Sequence, residues 1–229
     1  MKKHVVILSL AALALGGCSA ARYESPAFDD RAGEHRIIAV LPFEMVLTGR
    51  APSGLTLDQI EAIEEAESLA FQSAFYLHLL DRSSARRKRP ILISIQAVET
   101  SNRILREHGI GVRDSWGLDG AELARTLGVD AVVRTAVTKT RYLSDPASLG
   151  LTVGLDLLYQ ASEGKAPWLV PPGATKTYDI WIDSALLAGD DGEVLWRIAL
   201  QRETDWTRSA DDVIAAATGK LAKTFPYRD

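Results

Sequence analysis

Arg36-Ile37-Ile38-Ala39-Val40-Leu41-Pro42-Phe43 decides the fold. The run is continuously apolar and β-branched, the pattern of a strand covered on both faces. Pro42 cannot donate to a ladder and ends it. A loop with Gly49, Pro52 and Gly54 follows, and then Thr56-x-x-Gln59, the residues of a capping box. The helix it opens is expected to run to about Leu80. Ile60, Ile63, Ala66, Leu69, Ala70, Ala74 and Leu77 recur at three- and four-residue spacing and give one apolar face. Glu61, Glu64, Glu65 and Glu67 fall mainly on the other side, near the amino end, where the helix dipole favours carboxylates.

Working downstream, Ile91-Leu92-Ile93-Ser94-Ile95 is the second strand, and a short helix from about Thr100 to Glu107 ends at Gly109. Asp119-x-x-Glu122 opens a helix through Leu127, closed by Gly128, and Val129 to Val137 follows as the third strand. Tyr178 to Leu187 and Glu193 to Leu200 flank Asp190-Asp191-Gly192, a good antiparallel hairpin signal. Ser209-x-x-Asp212 opens the last helix, which Pro226 ends. This order specifies an α/β fold: a mixed sheet of about five strands with helices packed on it, an antiparallel C-terminal hairpin and a final helix. Leu149 to Tyr159 stays open between a core strand, a short core helix and a membrane-facing β-segment.

Upstream, Ser19 to His35 has little periodic apolar pattern and reads as a flexible tether, residues 18–35. Lys2 and Lys3 precede an apolar run from Val5 to Leu15, the layout of a secretory signal over residues 1–17. The run falls short of the ~20 residues a membrane-spanning helix needs. Residues 36–229 then form one domain. Losing 1–17 shifts the formal net charge from −4 to −6. That acidity argues against non-specific nucleic-acid binding. Cys18 is the single cysteine, so no intramolecular disulfide can form.

Leu15-Gly16-Gly17-Cys18 resembles a bacterial lipobox. The resemblance implies cleavage before Cys18, acylation of its thiol (as with palmitate) and of the new amino terminus, and a lipid anchor in a membrane. Ser19, rather than Asp, follows the anchor. By analogy with lipoprotein sorting in enteric bacteria, this points to the periplasmic face of the outer membrane.

Motifs that carry chemistry are missing from the sequence. It holds no Gly-x-Ser-x-Gly elbow, no phosphate-cradling glycine loop and no dinucleotide fingerprint. His35, His78 and His108 sit in no metal-ligand spacing, so neither a metal nor a cofactor is expected, and each reads as a surface or helix-end histidine. Asp179 and Asp183 share a strand face and read first as the polar side of a half-buried sheet, second as an acid pair. Asp190 and Asp191 read as turn formers. Trp181 and Trp196 lie in strands and are expected to be packed. Trp168, in a proline-flanked loop, is the better partner-contact candidate. Arg86, Arg87, Lys88 and Arg89 form a basic patch, read as a solvated loop or as a contact for anionic headgroups or acidic wall polymers.

Arg36 to Phe43, the long helix, and Glu122-Leu-Ala-Arg-Thr-Leu-Gly-Val-Asp-Ala-Val-Val133 together resemble a group of envelope lipoproteins. The group includes the curli-secretion channel subunit, activators of penicillin-binding proteins, and the related amino-terminal domain of the Tol-system propeller protein. There a strand reading I-A-V-L-P-F opens the fold, and a helix ending L-G-V-D feeds an A-V-V strand. The resemblance covers about residues 36–141 and the chain end through Phe225-Pro226-Tyr227. It implies a non-enzymatic α/β domain that binds other envelope proteins as an accessory to an assembly or transport complex. An oligomeric secretion-channel subunit is the alternative, although the chain lacks that subunit's two clear amphipathic hairpins. A wall or lipid hydrolase comes third.

Overall fold

The computed structural model describes residues 21–48, 56–84, 90–139, 176–205 and 209–227. Among them run strands β1 (Arg22–Glu24), β2 (Ile37–Val40), β3 (Glu44–Leu47), β4 (Ser94–Ile95), β5 (Ala131–Lys139), β6 (Lys176–Ala188) and β7 (Val194–Asp205). The helices are α1 (Phe28–Ala32), α2 (Leu57–Ser83), α3 (Val98–Glu107), α4 (Asp114–Gly117), α5 (Gly120–Leu127) and α6 (Ala210–Ala222). One mixed sheet has the order β1-β7-β6-β5-β2-β4, with β3 also on β5.

β2 and β3 lie end to end along β5, both parallel to it, at Ile38–Val40 against Ala131–Val133 and Glu44–Leu47 against Ala136–Lys139. Pro42 therefore interrupts one long edge, and the ladder resumes beyond it. Alternation sends successive residues of β2 to opposite faces. Ile38 and Val40 join Phe71, Phe75, Ile182, Leu186, Trp196 and Ile198 in the core under α2 and α6. Ala39 and Leu41 join Leu105, Leu123, Leu127, Val132 and Leu187 under α3 and α5. Aromatic contacts thread the larger core: Phe43 stacks on Phe71 at 5.7 Å, and Phe225 takes Phe75 and Trp196 edge-on at 6.1 and 5.7 Å. Such pairs add about 1 kcal/mol beyond area burial.

The caps follow the sequence. Thr56 Oγ1 accepts from Gln59 N while Gln59 Oε1 accepts from Thr56 N. Asp119 caps α5, and Gly128 closes it at φ +66°. Ser209 caps α6. Gly192 turns the β6–β7 hairpin at φ +76°.

Four expectations differ. Residues 21–35 are not a free tether: β1 pairs antiparallel with β7 over Arg22–Glu24 against Ile198–Trp196, and Phe28 of α1 is buried beside Tyr227. The buried face of α2 is Glu64, Glu67, Ser68, Phe71, Gln72, Phe75 and Leu79, while Leu77 is 62% exposed. Counting leucines and alanines put the helix about one position out of phase, because three large core residues and a polar cluster define its inner side. Ile91–Ile95 yields only the two-residue β4. Trp181 is 40% exposed, because α3 and α5 cover the sheet face only over the start of β5. Cys18, Arg86–Arg89, Leu149–Tyr159 and Trp168 lie outside the described residues.

Candidate interaction surface

Helices α2 and α6 pack against each other, and toward their carboxyl ends they leave a groove of about 600 Å³. His78, Asp81 and Arg82 line it from α2; Gly219, Lys220 and Lys223 line it from the other side. Its floor is low because α6 presents Ala215, Ala216 and Gly219 there. A Cβ at Gly219 would reach within 3.4 Å of the His78 ring. His78 Nε2 lies 3.1 Å from Ala215 O, which fixes the ring against α6. Sequence spacing separates these residues by more than a hundred positions, so no local motif announced the groove.

A second, smaller hollow of about 320 Å³ lies where α1 meets the start of β5 and the β6–β7 turn. Its groups hold one another. Arg31 pairs with Asp190, with Asp191 at 3.1 Å, and with Glu193. These contacts hold the Arg31 guanidinium above its usual range and the Asp191 carboxyl below its own. Asp130 accepts from Arg36 N at 2.7 Å and Ile37 N at 2.9 Å. Burial opposes the Asp130 charge, but those two bonds outweigh it and hold the carboxyl low. His35 Nδ1 lies 2.5 Å from Tyr227 Oη, and burial lowers the imidazole and raises the phenol. His35 is thus a half-buried structural group rather than a surface histidine.

The third cluster is interior. Lys139 and Glu67 form an ion pair with side chains 0% and 2% exposed, and Arg113 bonds Glu64 at 2.6 Å. Burial draws the Lys139 ammonium down to about 7, with Glu64 acting against it. On the open part of the sheet, Asp183 is held by Arg197 across the β6–β7 ladder, Nε to Oδ1 at 2.8 Å. Asp183, Asp190 and Asp191 are therefore each ion-paired, and the side chain of Asp179 lies outside the described residues. His108 Nδ1 lies 2.9 Å from Ile104 O, a helix-end contact. Among the described residues no group of three or more His, Cys, Asp or Glu is placed to hold a metal ion.

The architecture is an open mixed α/β sheet with helices on both faces. No family model and no curated protein matches the chain. Among solved structures it is similar to a lipoprotein from Neisseria meningitidis, at 10% identity and a TM-score of 0.44 over 82% of this chain and 96% of that one. It is similar to the PelC dodecamer from Paraburkholderia phytofirmans, at 12% identity and a TM-score of 0.42 over 89% and 93% of the two chains. The C-terminal domain of LpoB from Escherichia coli follows at 11% identity and a TM-score of 0.33, over 77% and 94%.

Proposed function

We propose that this chain is a lipid-anchored accessory protein of a cell-envelope assembly or transport complex, facing the periplasm from the outer membrane and acting by binding rather than by catalysis. The observation that carries the proposal is the position of β1. Only Ser19, Ala20 and Ala21 separate Cys18 from Arg22, and Ala199 N already donates to Ala21 O at 3.0 Å. Three peptide steps reach at most about 11 Å. An acyl chain on Cys18 would hold the domain against the bilayer surface instead of on a long leash. A domain held in a fixed attitude suits a partner that is itself fixed in the envelope. Membrane extracts of cells expressing the native chain and Cys18→Ala test this. The native chain should stay with membranes and bring one or two envelope proteins through gentle solubilisation, and Cys18→Ala should do neither. Unchanged membrane attachment of Cys18→Ala would refute the lipid anchor.

One observation favours the channel alternative. β1 is parallel to β6, so it enters the sheet from the end at which β5 finishes and β6 begins. Lys139 and Lys176, the described residues on either side of 140–175, therefore lie toward the end nearest the anchor. Purification as a large homo-oligomer without other envelope proteins would favour that alternative.

A further inference from the structure

The outer edge of β7 runs further than the strand that covers it. β7 stays paired with β6 through Lys176 against Asp205. On its other side β1 reaches only Trp196–Ile198, and the ladder ends with Ala199 N donating to Ala21 O. Among the described residues Leu200–Asp205 carry no strand on that side. This bare edge lies at the end from which Cys18 enters. We infer that the acylated residues Cys18, Ser19 and Ala20 continue β1 along it, so that the lipid anchor is built into the sheet; this rests on the lipid anchor proposed above.

Register fixes which backbone groups meet. Antiparallel partners alternate between pairs that exchange hydrogen bonds and pairs that do not. Ser25 N donates to Leu195 O at 2.8 Å and Ala199 N to Ala21 O at 3.0 Å, so the odd-numbered residues of β7 turn their N–H and C=O groups toward β1. Gln201 and Glu203 are the next two. The irregularity between Thr177 and Ile180 places its extra residue in β6, so β7 keeps its alternation there. With Arg22 opposite Ile198, the same register sets Ala20 opposite Leu200, Ser19 opposite Gln201 and Cys18 opposite Arg202.

Ser19 then supplies both partners of Gln201. The partner of Glu203 would be residue 17, which cleavage before Cys18 removes. Acylation of the Cys18 nitrogen restores half of that pair. The carbonyl of the resulting amide stands where the Gly17 carbonyl stood and accepts from Glu203 N. A diacylated chain, with a free amino group at Cys18, offers Glu203 N no acceptor there.

Length and connection select this occupant. An exposed edge takes up whatever strand meets it. A segment joined to β1 is already beside the edge, at an effective concentration in the millimolar range for so short a link. A second copy, or a strand of another protein, would have to displace it. Ser19, Ala20 and Ala21 include no proline, so each can donate to the ladder. Three residues at about 3.4 Å each carry the chain about 10 Å past Ala21. That ends it opposite Arg202 and leaves Thr204 and Asp205 uncovered.

Amide exchange of the full acylated chain in mild detergent, read residue by residue by NMR, tests the inference. The outward amide of Asp205 lies past the reach of Cys18 and is the internal control. Gln201 and Glu203 should be protected about tenfold or more beyond Asp205. The diacylated chain, made in cells lacking the enzyme that acylates the amino terminus, should lose protection at Glu203 and keep it at Gln201. Ser19→Pro, confirmed by mass as acylated, cannot donate to Gln201 O and should lose both, with exchange in β5 unchanged. Gln201 and Glu203 exchanging as fast as Asp205 in the triacylated chain would overturn the inference. So would equal protection of Glu203 in the two acylation states, or protection that survives Ser19→Pro. Protection that disappears on dilution would give the edge to a second copy and overturn it too. The mass of the native chain separates the two proposals. An unacylated Cys18 refutes the anchor itself; an acylated Cys18 with Gln201 and Glu203 unprotected refutes only its place in the sheet.

Discussion

Lys139 of β5 and Glu67 of α2 are ion-paired with both side chains sealed from solvent, at 0% and 2% exposure. Burial opposes the Lys139 charge, and the carboxylate contact favours it. The pair ties the first half of the long helix to the far end of the central strand, where an all-apolar contact could slide by a turn. Its value for fixing register is greater than its value for stability, because desolvating two ions consumes most of their attraction.

The pair therefore sets up a double-variant cycle. Lys139→Met alone leaves a carboxylate buried without its cation and should cost about 3–5 kcal/mol in denaturant unfolding. Glu67→Leu combined with Lys139→Met should recover most of that loss. A double variant as unstable as the single one would show that the charges themselves, and not their mutual satisfaction, hold the helix in place.

His35 gives the molecule a pH-dependent term with a definite sign. Burial lowers its folded-state pKa below the ordinary value of 6.5. In the interval between the two values the unfolded chain binds more protons. Unfolding free energy from this group thus rises with pH through that interval and is complete above about 6.5. Acidification removes it. His35→Gln keeps a polar partner for the Tyr227 hydroxyl and cannot titrate. Its unfolding free energy should fall less steeply than that of the native chain as pH drops below about 6.5. Parallel curves would show that the imidazole contributes nothing through its protonation.

Much of the fold was legible because its signals are local. The Thr56/Gln59 box, the Asp119 and Ser209 caps, Gly128 and the Asp-Gly hairpin turn each depend on residues a few positions apart. What escaped depends on distant partners. β1 is only Arg22–Glu24 and carries no periodic pattern; it is a strand because β7 offers it a free edge. Glu64 and Glu67 read as solvated charges because Arg113 and Lys139 approach them from other elements. The α2–α6 groove was invisible for the same reason, since its lining comes from positions 78–82 and 215–223.

Between β5 and β6, Thr135 Oγ1 and Ser184 Oγ share a fully buried hydrogen bond at 2.8 Å, directly opposite each other in the ladder. Thr135→Val keeps the shape and orphans the serine hydroxyl, which should cost about 1–3 kcal/mol. Thr135→Val with Ser184→Ala removes both polar groups and should lie closer to the native chain than the single variant does. Thermal unfolding of the two variants side by side decides it; equal losses would assign the cost to packing rather than to the stranded hydroxyl.

Arg31 decides how firmly the amino-terminal segment is held. Its guanidinium gathers Asp190, Asp191 and Glu193 at the β6–β7 turn, while Phe28, one helical turn earlier, packs on Tyr227 at 5.6 Å. β1 has only three residues of ladder with β7, so most of its hold on the domain comes through α1. Arg31→Ala should leave the core intact, since the pairs it removes sit at the surface, where single ion pairs contribute little. The local effect should be large. Amide exchange at Arg22–Glu24 should speed up severalfold while exchange in β5 stays unchanged, and protease should cut ahead of β2 before it cuts elsewhere. In cells the variant should remain on the membrane but recover less of its partner in the pull-down, because a loosened β1 and α1 turn a fixed attitude into a flexible leash. Full partner recovery with β1 demonstrably released would show that the short connection to Cys18 does not orient the domain.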